Sequence, residues 1–200
     1  MNKQETNGGS KYQVFSGTAR SQFCVLGYIE GFEDDYKLMK GIPVANYWPE
    51  DILIRMDPDF KTQIKLSDNL CNQHNVIIAS KRLCDFLRKE SVPNLEYLPI
   101  KVINHKKRPE KAEYWVVHLV STQNCIDTRK SELEWNPVNK EDIATVRRLV
   151  FDESKIDRDA ALFRAKHLKT AIFVRRDLAK KMQDGGFTGI ALVEVAAFRC

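Results

Sequence analysis

Two stretches carry residue types that could do chemistry. FVRRDLAKKMQDGGFTGIALVEV, residues 173–195, sets Gly185, Gly186, Thr188 and Gly189 among arginines and lysines, the composition of a phosphate-gripping loop. Such a loop places its glycines after a strand and before a helix, so that loop N–H groups and the helix N-terminus face the anion. Here the order is reversed. Leu178 and Met182 sit four apart on one helical face, with Asp177 early, where the helix dipole favours an acid. Gly185 and Gly186 follow as a left-handed cap, and Gly189 opens an alternating strand with apolar Ile190, Leu192 and Val195. No Gly-x-x-x-x-Gly-Lys-Ser/Thr occurs in the chain. The stretch reads as a helix turning into a strand.

The second group is sulfur and imidazole. Cys71 and His74 are three apart and fit half a zinc site, but no other half is in the sequence. Cys125 and His118 suggest a thiol and its base, yet positions seven apart on a strand face opposite ways and no third orienting residue stands out. Asp127 and Ser131 suit a turn capped by side chains, or a loop that touches a partner. The chain lacks His-x-Glu, Gly-x-Ser-x-Gly and His-Glu-x-x-His. No catalytic residue, metal ligand or cofactor is assigned. The five cysteines are odd in number and scattered without Cys-x-x-Cys, as reduced thiols of a cytoplasmic chain would be.

The elements that must position these residues are those of an ordinary globular chain, 43% apolar and 30% charged. No apolar run approaches the roughly eighteen residues of a membrane span. The first ten residues carry no apolar core and read as a disordered lead-in rather than a secretory signal. A strand- and loop-rich region follows at 11–65 and a second region at 66–200, expected to form one compact unit. Strands are expected at 11–17, 22–30 and 51–57, the last with Ile52, Ile54 and Met56 on one face. Segment 31–50 reads as turns. Val76–Ala79 is a buried strand, Ser80 an N-cap, and Leu83, Phe86 and Leu87 one helical face. Residues 96–104 and 113–121 make a hairpin around a basic loop, 144–154 a further strand, and ALFRAKHLKT a short link. The order strand, capped helix, strand occurs twice, with Leu83 matching Leu178 and Leu87 matching Met182. The predicted fold is α+β, a mostly antiparallel sheet with two or three packed helices and an internal strand–helix–strand repeat.

Charge is unevenly spread. Residues 30–60 hold 3 basic and 8 acidic side chains, mixed with Phe32, Tyr36, Tyr47 and Trp48. Acid among large aromatics suits a docking surface for a basic partner, and equally a solvated loop with its aromatics tucked inward. Residues 101–200 hold 20 basic and 14 acidic side chains. Lys106, Lys107 and Arg108, with the basic doublets at 147, 175 and 180, could touch phosphates, although no nucleic-acid-binding signature accompanies them.

The segments VIIASKRLCDFLRKE, EYLPIKVIN, EYWVVHLVSTQNCIDTRKS and LFRAKHLKTAIFVRRDLAKKMQDGGFTGIALVEV, across residues 66–196, resemble the bacterial polymorphic-toxin immunity family numbered eleven, formerly a domain of unknown function. Ser80, Pro99, Tyr114, Asp127, Ser131, Phe163, Arg164, Thr188 and Gly189 stand on matching positions. His118 departs from the pattern where Asn is common, and Arg175 stands where a serine cap is common. The resemblance implies a cytoplasmic, non-enzymatic protein that binds and neutralises a cognate toxin, with a nuclease expected, by covering its cleft. On that reading Glu33, Asp34, Asp35, Glu50 and Asp51 steer the approach while Tyr36 and Trp48 anchor it. The loop Lys106–Lys107–Arg108 is the alternative binding surface. A nucleic-acid-binding module using the basic second half is the rival function, and self-association is left open.

Overall fold

The structure, a computed structural model, describes residues 9–19 and 22–200. The expected lead-in lies, through residue 8, outside the described residues. In chain order the elements are β1 (Tyr12–Gly17), β2 (Val25–Glu30), α1 (Tyr36–Lys40), β3 (Leu53–Met56), β4 (Cys71–Asn72), β5 (Ile77–Ser80), α2 (Lys81–Lys89), β6 (Leu95–Ile103), β7 (Tyr114–Leu119), β8 (Thr122–Gln123), β9 (Glu132–Trp135), β10 (Ile143–Arg148), β11 (Leu162–Ala165), β12 (Leu168–Arg175), α3 (Arg176–Asp184) and β13 (Ile190–Glu194). The class is α+β with mostly antiparallel sheets, as expected.

One sheet runs β13-β1-β12-β11-β8 and a second β4-β2-β3-β6-β7-β5, with β10-β9 a separate ribbon. The second sheet curls towards closure, because Leu70 and Asn69, just before β4, bond back to Ile78 and Ala79 on β5. Its interior holds Leu26, Ile54, Leu98, Val102 and Val116, all buried. Ile52, Ile54 and Met56 share the buried side, as their alternation demands.

The internal repeat is present in three dimensions. β5 and β6 flank β7, and α2 crosses between them; β12 and β13 flank β1, and α3 crosses between them. Ser80 pairs with Arg175, Leu83 with Leu178, Leu87 with Met182, and Leu95 with Ile190, always 95 residues apart. Even the left-handed positions match: Ser91 (φ 52°) with Gly186 (φ 63°), and Asn94 (φ 58°) with Gly189 (φ 76°). Ser80 Oγ accepts the Leu83 N–H, whereas Arg175 makes no side-chain cap. The two helices bury Leu83, Cys84 and Leu87 against the same cluster as Leu178, Ala179 and Met182. Each large apolar side chain so buried contributes about 1.5–3 kcal/mol.

Three sequence expectations need correction. ALFRAKHLKT is not a link but the hairpin of β11 and β12, Leu162 pairing with Val174 and Ala165 with Leu168. Arg164, buried in the middle of β11, interrupts the apolar run that would have betrayed the strand. The strand expected at 144–154 ends at Arg148, and it pairs with β9. Within 31–50 lies α1, closed by Gly41 at φ 67°; five residues are too few to display a helical period.

Candidate functional site

Four of the residues on family-pattern positions, Ser80, Tyr114, Thr188 and Gly189, meet at one place. Segment Ser67–Asn69 crosses between the two repeat units. Tyr114 Oη donates to Ser67 O at 2.8 Å. Asp68 accepts from Ser80 Oγ, Arg82 Nη1, Thr188 N and Thr188 Oγ1, each at 2.9 Å. At Gly189 a Cβ would lie 2.1 Å from Asn69 O, so only glycine permits the approach. These residues clasp α2 to the turn after α3. They build the frame rather than a contact surface.

The other pattern residues are also structural. Asp127 Oδ1 accepts from Arg129 N and Lys130 N, and Ser131 Oγ bonds both N–H and C=O of Val150, a capped turn docked on the strap after β10. Pro99 O accepts the Trp48 indole N–H at 2.9 Å. Arg164 donates to Lys169 O and Asn75 O with no carboxylate beside it, and burial lowers its pKa to about 10. It ties the first sheet to the turn after β4.

The thiols and imidazoles do not assemble into a reactive pair. Cys125 lies in the core of the first sheet, and burial pushes its thiol up to about 12; Cys24 and Cys84 are likewise buried and raised. His118, on β7, bonds Ile42 O at 2.8 Å. His74 packs edge-on to Tyr28, with Nδ1 3.7 Å from Asp35. Burial depresses both imidazoles below the usual range. Among the described residues no three metal-ligating side chains cluster.

The surface has more to offer. Tyr28 is 63% exposed, Tyr36 48%, Tyr47 46% and Ile42 39%, half of the large apolar side chains that face solvent among the described residues. Lys37 lies 5.0 Å from the Tyr47 ring and Lys40 5.1 Å from the Tyr36 ring. The segment is held from beneath. Glu96 accepts Val44 N and Ala45 N, His118 holds Ile42 O, and Trp48 packs against Phe32, ring centroids 4.7 Å apart and tilted by 52°. Trp48 is therefore half-buried, while Tyr36 stands out. Tyr28 escapes sequence reading because it sits in an apolar strand; its outward alternation with buried Ile29 is the available signal.

Part of the charge in the expected surface is answered internally. Asp34 pairs with Lys37 and Asp51 with Lys101, while Glu33 and Glu50 pair with no cation among the described residues. The basic doublets are answered too: Arg147 by Glu134, Arg148 by Glu132, Arg175 by Asp177, Arg176 by Glu194, Lys180 by Asp184 and Lys181 by Glu90. Lys106, Lys107 and Arg108 differ: none meets a carboxylate within salt-bridge distance among the described residues. Among the described residues no helix is long and apolar enough to cross a membrane.

No curated protein matches the chain closely. A family model described as "Immunity protein family (Imm11)" matches residues 18–197, a span that includes both repeat units, the Asp68 clasp and the aromatic segment. The chain therefore belongs to the Imm11 immunity protein family, which gives it an immunity role and a cognate toxin as partner.

Proposed function

We propose that this immunity protein neutralises a cytoplasm-acting bacterial toxin by laying a preformed surface over its active cleft, one to one, without transforming it. The observation that carries the reading is the rigidly supported aromatic segment: Tyr28, Tyr36 and Tyr47 exposed above a floor fixed by Glu96, His118 and Trp48. Aromatic side chains already held in place lose little freedom on binding and dominate interface energetics.

A nuclease suits this surface best. Its cleft is basic, and residues 30–60 carry 8 acidic against 3 basic side chains. Lys37, the partner of Asp34, is already in that count and Lys101, the partner of Asp51, offsets one further charge, so a net acidic field remains to steer association. Asp35, Glu33 and Glu50 supply the direct contacts, Tyr36 anchors, and Trp48 braces the segment from below. The test is affinity for the toxin encoded beside the gene. Tyr36→Ala with Tyr47→Ala should weaken binding by about 100-fold, the scale of two interface anchors. Asp35→Lys should slow association chiefly at low salt. Unchanged affinity in both variants would sink the assignment of this face.

The basic-surface reading for nucleic acid has less support. A backbone-tracking groove needs a row of cations, and six of the nine in the proposed patch are occupied by the protein's own carboxylates.

A further inference from the structure

The loop after β6 is built to present charge. Asn104 Oδ1 accepts the N–H groups of Lys106 and Arg108, Asn104 N donates to Arg108 O, and Lys107 N donates to Asn104 O. Lys107 sits at φ 58°, a conformation that lysine adopts at a cost. β3 and β6 run parallel, so this loop and the turn after β3 emerge at the same end of the sheet. Between them lies a pocket of about 450 Å³ lined by Arg55, Met56, Pro58, Asn104, His105 and Lys107. His105 also lines it, its Nε2 buried without a hydrogen-bond partner beneath the surface. Arg55 is shared with Glu30 at 3.0 Å, whereas Lys107 has no carboxylate.

We propose that this pocket receives an acidic side chain, aspartate or glutamate, of the cognate toxin, as a second anchor beside the aromatic segment. The inference rests on the occlusion reading above and adds a chemical requirement to the partner. Charge complementarity chooses the occupant: the cations Arg55 and Lys107 line a space they share with apolar Met56 and Pro58. A carboxylate on a short stem answers both cations. A nucleic-acid backbone fits less well, because one confined pocket gives it no row of neighbouring cations to follow. Arg55 also links the pocket to Tyr28. Ile29 and Ile54 pair facing inward, so Tyr28 and Arg55 project outward from adjacent strands, and the Glu30–Arg55 pair spans the gap.

The experiment measures affinity of the full chain for a catalytically inactive form of the neighbouring toxin, at about 50 and 500 mM salt, for wild type, Lys107→Glu and His105→Gln. Lys107→Glu should weaken binding by about tenfold at low salt and by much less at high salt. His105→Gln, which keeps a donor, should stay near wild type. Exchanging one acidic residue of the toxin for lysine should restore affinity to the Lys107→Glu variant. Equal affinity of Lys107→Glu and wild type at low salt overturns the pocket while leaving the occlusion reading intact. Absence of toxin binding by the wild type overturns both. Retention of a labelled RNA or DNA oligonucleotide by the wild type, lost in Lys107→Glu while toxin binding is kept, overturns the acidic-side-chain assignment in favour of nucleic acid.

Discussion

Removing the Asp68 carboxylate should loosen the joint between the two repeat units. Asp68 is 9% exposed and accepts four hydrogen bonds at 2.9 Å from Ser80, Arg82 and both donors of Thr188. A hydrogen bond to a charged group contributes about 1.5–3 kcal/mol, but such bonds to one carboxylate do not add fully. The Arg82 side chain is half-exposed, so solvent reduces its share to under about 1 kcal/mol. Asp68→Ala also strands the Thr188 N–H. The net expectation is a loss of about 3–4 kcal/mol, or roughly 10 °C in melting temperature for a chain of this length. Asp68→Asn should cost about half as much, because the amide keeps one acceptor but must turn a donor towards Ser80 or Thr188. Thermal unfolding followed by circular dichroism reads both variants. Thr188→Val should cost less in the Asp68→Ala background than alone, since both remove the Thr188 Oγ1–Asp68 carboxylate bond, although Thr188→Val also strands the residue-68 N–H that Thr188 Oγ1 accepts at 3.1 Å. An Asp68→Ala melting temperature within 2 °C of wild type, or full additivity with Thr188→Val, would refute the clasp.

Gly189→Ala should destabilise by more than about 3 kcal/mol, because the methyl meets Asn69 O and Ser67 Oγ and φ is 76°, while Gly186→Asn, with open space at its Cβ, should cost less than about 1 kcal/mol by urea unfolding. Arg164→Ala should cost about 3–5 kcal/mol, and Arg164→Met distinctly less, since methionine refills the volume and removes an uncompensated buried charge; the reverse order of urea midpoints would contradict that reading. His74 and His118 have folded pKa values depressed below the usual 6.5 by burial, so the unfolded chain takes up protons first. Stability should therefore hold above about pH 6.5 and fall below it, and His118→Asn should remove part of that slope in urea midpoints measured from pH 7.5 to 5. A slope unchanged by His118→Asn would contradict the assignment for that residue.

Much of the fold is legible because periodicity and capping are local. Ser80 before Leu83, Phe86 and Leu87 marks α2, and the same order with Gly185 and Gly186 marks α3. The repeat is visible for the same reason, down to the missing cap at Arg175. What escaped reading depends on distant partners. β11 hides because Arg164 looks like a surface residue until Asn75 O and Lys169 O are seen to receive it. α1 is too short to announce itself. In the candidate site, the mix of acids and aromatics at 30–51 is plain in the sequence, but not which members are used. Trp48 turns inward to Pro99, Asp34 and Asp51 are paired, and Tyr28 comes from another strand. The cations of 106–108 look like those at 147, 175 and 180; only the folded chain distinguishes paired from unpaired.

The most direct measurement is a titration of the neighbouring toxin's activity with this protein, followed by recovery of the toxin. Occlusion predicts a linear fall to zero at one equivalent, with full activity and unchanged mass once the complex is taken apart. Inactivation by a small fraction of an equivalent, or a toxin that emerges covalently altered, would contradict it.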